Sequence, residues 1–273
     1  MKRNARIPVT AGLMALCLLS ATGCQRLRAN DQINKGVADF KNAKLESATD
    51  HFQQAVQLDP SNPNPLIYLG TVYSSQVVPN LDTPDNKKMA KQAIDTFQRV
   101  LSRDPKNVNA LEQIASIYRN TGHPDEAKQY EKKVLDVAPD NAEANYTIGV
   151  VDWLQSYKNA TTTLANEGLT DKSDGNFKLS KKGCAILTTE NTPLITEGLQ
   201  YLEKAIEINP TYEQAMTYMS LMYRRKADLE CGNAPAVKAD LEQSDQWAQK
   251  SMGARAANEK AKEKSLQGGI QEK

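Results

Sequence analysis

Leu66-Ile67-Tyr68-Leu69-Gly70-Thr71-Val72-Tyr73, followed by Ala93-Ile94-Asp95-Thr96-Phe97 and closed by Arg103-Asp104-Pro105, is the stretch that decides the fold. Leu66, Leu69 and Tyr73 recur at spacings of three and four, which puts them on one side of a helix. Gly70 on that side, and Ala93 on the helix that follows, are small enough to let two helices approach closely. Pro105 stops the second helix, because proline cannot continue the hydrogen-bond ladder. The same ending recurs at Pro60, Pro139 and Pro210, after QAVQLD, KVLDVA and KAIEIN.

From Pro60 to Pro105, Pro139 and Pro210 the steps are 45, 34 and 71 residues. A step of 34 is the period of stacked helical hairpins, so the other two carry excesses of 11 and 37 residues. A second landmark moves by the same amounts. Ala115 and Ala127 lie 12 apart in the uninterrupted unit, whereas Gly70 and Ala93 lie 23 apart and Gly149 and Gly198 lie 49 apart. Both insertions therefore fall between the two helices of a hairpin.

These landmarks resemble the tetratricopeptide repeat family. Gly36, Ala48 and Phe52 carry the pattern in residues 30–60, although Lys35 and Asp39 replace apolar residues. Residues 63–105 match best, and residues 108–139 keep Leu111, Ile114, Ala115, Tyr118 and Ala127 but have Glu131 in the phenylalanine place. Gly149 and Gly198 mark 142–210, and Met216, Met219, Ser220, Tyr223 and Trp247 mark 213–252. The resemblance implies an all-α fold, a right-handed solenoid of about five helix-turn-helix repeats with insertions in repeats 2, 4 and 5. Each hairpin leaves an apolar face open, so neighbours must stack. The insertion at 154–192 holds Gly168, Asp171, Ser173, Asp174, Gly175 and Asn176, which are turn formers, and reads as a loop. A sixth, degenerate repeat is the alternative. Residues 253–273 carry few large apolar residues and read as a charged flexible tail.

At the N-terminus Lys2, Arg3 and Arg6 precede an apolar run from Ile7 to Leu19, then Ser20-Ala21-Thr22-Gly23-Cys24. That order describes an export signal over residues 1–23. The small-small-Gly-Cys ending resembles the lipobox of bacterial lipoproteins, which implies lipid on Cys24 and a short tether over 24–29. Gln25 stands where an aspartate would imply inner-membrane retention, so the resemblance favours the outer membrane, facing the periplasm. An ordinary signal peptide with a chance cysteine is the alternative. Removal of the three cations takes the formal charge from +1 to −2. Nucleic acid is a poor partner for such a chain, since phosphate binding needs a basic face.

Little in the sequence suggests chemistry. His51 and His123 fall in different repeats. There is no nucleophile elbow, phosphate-cradling loop or Cys-x-x-Cys pair. In Asp171-Lys172-Ser173-Asp174-Gly175, Lys172 and Lys181 occupy places where a calcium loop needs oxygen ligands. No metal or cofactor is expected. The rival reading is an envelope hydrolase using carboxylates in the 154–192 insertion, and within binding the runner-up is assembly of an outer-membrane or pilus machine.

In the family resembled, the first helices of successive hairpins line a groove that receives a protein or peptide. The corresponding positions include Ile33, Val37 and Phe40; Arg119; Tyr146, Val150 and Trp153; and Thr217, Leu221 and Arg224. Arg119, Tyr146, Val150, Trp153 and Arg224 form the candidate partner-binding groove, since aromatics beside arginine suit interface anchors. The alternative is that Tyr146 and Trp153 pack beneath the large insertion. Cys184 and Cys231 both lie between the helices of a hairpin, in adjacent repeats, so they project from one edge of the stack. In an oxidising compartment that placement predicts a disulfide. Two separately buried thiols are the alternative.

Overall fold

The computed structural model describes residues 9–175 and 178–270, with side chains from Cys24 to Lys264. Lys2, Arg3, Arg6 and Ile7 of the expected signal, and Asn176 of the insertion, lie outside the described residues. The described chain is all-α: α1 (Val9–Lys41), α2 (Leu45–Leu58), α3 (Asn64–Ser74), α4 (Pro84–Leu101), α5 (Val108–Asn120), α6 (Pro124–Val137), α7 (Ala142–Asn166), α8 (Lys181–Ile208), α9 (Glu213–Ala227) and α10 (Ala234–Ile270). A 3-10 turn, Asp228–Glu230, follows α9. Among the described residues, no helix is long and apolar enough to cross a membrane. The helices form two compact units, Met1–His123 and Pro124–Lys273.

In the first unit α1 pairs with α2 and α3 with α4, as the landmarks require. A side chain on Gly36 would meet the Phe52 ring at 2.7 Å, and one on Gly70 would meet the Phe97 ring at 2.8 Å. Each glycine is therefore the seat of the ring that comes from the second helix. Phe52 and Phe97 are almost fully buried, contributing roughly 1.5–3 kcal/mol apiece. Ile33, Val37 and Phe40, expected on a groove, pack instead against the Ala48–Phe52–Leu69–Val72 core. α1 runs through residues 24–29 without a break, so the stretch expected as a tether is helical.

The 11-residue insertion is shared between the turn joining α3 to α4, residues 75–83, and a longer start to α4, and one side chain organises the turn. Buried Asn86 donates to the Val78 and Leu81 carbonyls at 3.0 and 2.7 Å and accepts from the Val78 amide at 2.8 Å. Thr83 caps α4 through the Asn86 amide, and Pro84 opens the helix where its missing donor costs nothing.

In the second unit the 37-residue insertion corrects the expectation of a loop. It extends both helices of its hairpin, α7 to Asn166 and α8 from Lys181, and only residues 167–180 form the connection. Among the described residues no sixth hairpin is built. The extensions have a core of their own: Ser156, Ala160, Thr163 and Leu164 face Cys184, Leu187 and Asn191, all buried. Asn191 donates to the Ser156 carbonyl and accepts from Asn159, both at 2.9 Å, so the polar groups inside are paired. Gly149 seats Leu202, which takes the place of the pattern's phenylalanine.

Residues 253–270, expected as a flexible tail, continue α10. Ala254, Ala256, Ala257 and Ala261 are strong helix formers, Arg255 pairs with Glu259 one turn on, and Asn258 donates to the Thr211 carbonyl at 3.0 Å.

Candidate binding face

The residues of the second unit assemble one aromatic surface and two charged clusters. Tyr146, Val150, Trp153 and Tyr157 follow one side of α7. Tyr218, from α9, enters edge-on between Tyr146 and Trp153, with ring centroids at 5.7 and 5.4 Å. Tyr157 stacks on Trp153 at 5.4 Å, and Tyr212 lies 5.0 Å from Tyr146. The result is a continuous run of five rings. Its inner edges rest on a core of Ile195, Leu202, Ala215, Met219 and Met222. Its outer edges reach solvent, most of all at Tyr157, which is 42% exposed. Trp153 is thus both partly packed and partly presented. Its Nε1 is buried and makes no hydrogen bond.

Arg224 does not join this surface. Its guanidinium turns to Asp245 of α10 at 3.6 Å, and Thr217, two turns earlier, meets Ser251 of α10 at 2.7 Å. The member of α9 that meets the rings is Tyr218, one residue after Thr217. Consecutive helical positions point about 100° apart, so a phase error of one residue exchanges the partner. Val150 is buried between the rings and not presented. Arg119 lies on α5 in the first unit, half-buried.

The first charged cluster stands behind the ring surface. Asp152 is fully buried at the place where the repeat pattern has tyrosine, three residues after Gly149. Lys128 of α6 bridges it to Glu197 of α8, at 2.5 Å to each, and Lys132 pairs with Glu197 at 2.6 Å. Burial pushes the Asp152 carboxyl up to about 6, against the pull of Lys128. For Lys128 burial opposes the charge, but the hydrogen bonds to the two carboxylates outweigh it and raise its pKa. The same balance leaves Glu197 below the ordinary range: burial is overcome by the hydrogen bonds from Lys128 and Lys132. Asp152 in place of an aromatic was the one sequence signal for this cluster.

The second cluster holds the 167–180 connection. Arg225 of α9 is buried and reaches Asp171 at 2.8 Å, Ser173 at 3.1 Å and Asp228 at 3.0 Å. Asp228 lacks an aligned hydrogen bond despite that distance, so the pair is held by charge. Burial pushes Asp228 up to about 7; Arg225 pulls it down, and the Asp171 and Asp174 carboxylates oppose that pull. Glu167 accepts from the Ser180 amide at 2.8 Å and from its hydroxyl, bonds that hold its carboxyl below the ordinary range. Beside them, Cys184 on the first turn of α8 and Cys231 after the 3-10 turn have Cα atoms 5.8 Å apart, with their sulfurs in bonding contact.

The histidines hold local structure. His51 meets Gln32 at 2.6 Å and Asp39 at 3.5 Å, and His123 meets Thr121 at 3.1 Å. Among the described residues no group of three His, Cys, Asp or Glu side chains could hold a metal ion.

Hairpins with a small residue of one helix seated on a ring or Leu of the next define the fold as the helical-repeat class, of tetratricopeptide and ARM type. A family described as the TT21 fifth ARM repeats domain matches residues 82–178. The chain is similar in fold to a crystal structure of MamA, with TM-score 0.54 and 15% identity over 82% of this chain and 96% of that one. It is similar also to a MamA RS-1 double mutant, with TM-score 0.56 and 15% identity over 85% and 96%. MamA residues 41 to the end from Desulfovibrio magneticus RS-1 align with TM-score 0.50 and 15% identity over 80% and 96%. No curated protein matches the sequence.

Proposed function

We propose that this chain is a lipid-anchored scaffold or adaptor of the bacterial cell envelope that binds a protein or peptide through the ring surface of its second unit, without catalysis. The observation that carries the binding reading is the run Tyr146–Tyr218–Trp153–Tyr157, braced from beneath by a core and open at its outer edge. Large rigid rings anchor interfaces at little cost in side-chain entropy. The anchor reading rests on Ser20-Ala21-Thr22-Gly23-Cys24 after an apolar run, and on an exposed Cys24. It places the chain at the outer membrane, facing the periplasm. The hydrolase alternative needs carboxylates to spare in the 154–192 insertion. Asp171 is taken by Arg225 and Glu167 by Ser180, so that alternative has less to work with.

Two variants of the intact chain test this reading. Trp153→Ala should weaken partner capture about tenfold or more while helicity is kept. If helicity collapses, and Tyr157→Ala with Tyr218→Ala captures the partner normally, the ring surface is core and the assignment fails. Cys24→Ala should appear unprocessed or soluble in fractionated cells; membrane-bound protein cut at the same place would remove the anchor.

A further inference from the structure

We infer that the Cys184–Cys231 pair is a site of thiol–disulfide exchange, reduced by a dithiol protein that attacks Cys231 while the fold stays intact. This goes beyond the binding reading and does not depend on it. Exchange runs by attack of a thiolate on one sulfur, with the other sulfur leaving as a thiolate. Its rate follows from which sulfur is reached and how well the leaving charge is received.

The first support is unequal access. Cys184 is buried on the first turn of α8, only 6% exposed, whereas Cys231 is exposed at the end of the 3-10 turn. The pair borders an open hollow of about 540 Å³, walled by Leu179, Lys181, Ala185, Thr188 and Thr189. A thiolate entering there meets Cys231 as the open end of the bond, and Cys184 is the leaving group.

The second support is the reception of charge at Cys184. The start of a helix favours a thiolate, as do neighbouring cations. Lys181 and Lys182 precede Cys184 on that turn, both exposed. Thr188, one turn on, sets its hydroxyl 3.8 Å from the Cys184 sulfur and 3.8 Å from that of Cys231. It stands ready to donate to whichever sulfur carries the charge.

The third support is that the dithiol state also has its place. Cys231 Sγ lies 3.2 Å from the Leu229 carbonyl, which accepts from the S–H once the bond is open. The extension of α7 and α8 keeps its own core, and Arg225 still holds the connection through Asp171 and Ser173. Reduction thus removes one of several attachments.

The step balances. The partner's thiolate bonds to Cys231 Sγ, the S–S bond breaks, and its electron pair leaves on Cys184 Sγ, which takes a proton from water. The partner's second thiol, deprotonated, attacks its own sulfur in the mixed disulfide, and Cys231 leaves as a thiolate that is protonated in turn. The chain gains two electrons, and the partner's dithiol becomes a disulfide.

The test uses the full, oxidised chain with dithiothreitol, then with a thioredoxin-type dithiol protein, and locates alkylated Cys184 and Cys231 by peptide mass. A bond shut in by the fold would be reduced only as the chain opens, at a rate that climbs with urea. We expect instead a second-order rate that is flat in urea below the unfolding transition. A dithiol protein with its resolving cysteine changed to serine should be trapped on Cys231 in preference to Cys184 by about tenfold or more. Thr188→Val should slow reduction several-fold at an unchanged unfolding midpoint, and Thr188→Ser, which keeps the hydroxyl, should restore it. Reduction that tracks unfolding, trapping mainly on Cys184, or an equal rate in Thr188→Val overturns the inference, as do two free thiols in the untreated protein.

Discussion

The second and fourth hairpins divide their extra residues between turn and helix in different proportions. Nine residues, 75–83, form the turn between α3 and α4, and the three hydrogen bonds of Asn86 are enough to order it; the rest of that insertion lengthens the start of α4. Most of the 37 extra residues between the landmarks of α7 and α8 become helix, with a small core, the Arg225 cluster and a pair of cysteines around the connection. A short detour can be satisfied by one polar side chain. A long one carries too many backbone groups for that, and helix formation satisfies them within the segment itself. What remains outside the helices, residues 167–180, then needs an external clamp.

Arg225→Ala should break this arrangement most. It leaves Asp171 and Asp228 buried without their counter-charge, at about 3–5 kcal/mol. Thermal or urea unfolding gives the size, and hydrogen exchange should place the loss in residues 167–180 and α9. Asn86→Ala should cost about 1–3 kcal/mol from its stranded partners, with lost protection confined to residues 75–83. If both variants loosen the same residues, the two insertions are not independent.

The cysteine pair falls between these two in size. A bond from Cys184 to Cys231 closes a loop across a sequence separation of 47 residues, which on the chain-entropy model contributes about 4 kcal/mol before any strain. Intact mass before and after alkylation should show no free thiol at either position in oxidised protein. Reduction should lower the unfolding midpoint of wild type and leave a Cys184→Ser, Cys231→Ser variant unchanged. Two alkylated thiols in untreated protein would remove the bond.

The smallest effect expected is on pH. Asp152 and Asp228 have folded pKa values of about 6 and 7 against an ordinary 3.8. Between about pH 4 and 7 the folded state therefore holds more protons than the unfolded chain, so these groups make stability fall as pH rises. Above about pH 7 their contribution levels off. Asp228→Asn should flatten the upper part of that slope. An unchanged slope would mean that the buried carboxyl does not titrate there.

Much of the fold was legible because its landmarks are steric. Gly36 and Gly70 are fixed by the rings that sit on them, and such pairs keep their spacing even across insertions. The interior of the large insertion was not, since its buried stripe is Ser156, Ala160, Thr163 and Leu164, which reads as polar. Turn formers at 168–175 correctly marked the connection but said nothing of the helices on either side. At the ring surface, Tyr146 and Trp153 were identifiable from their repeat positions. Tyr218 was missed by one residue of phase, and Arg224 was included by the same error. The disposition of Arg225 depends on a loop folding back onto α9, a contact between distant residues that no local pattern announces.

The central claim is that the rings of the second unit are the partner-binding face. A photo-crosslinking phenylalanine analogue placed at position 157, in the intact chain in cells, tests it against the same analogue at Gln246, exposed on α10. The account predicts one protein adduct from position 157, competed away by the partner's own binding segment, and none from position 246. Equal adducts from both positions, or an adduct from position 246 alone, would contradict it.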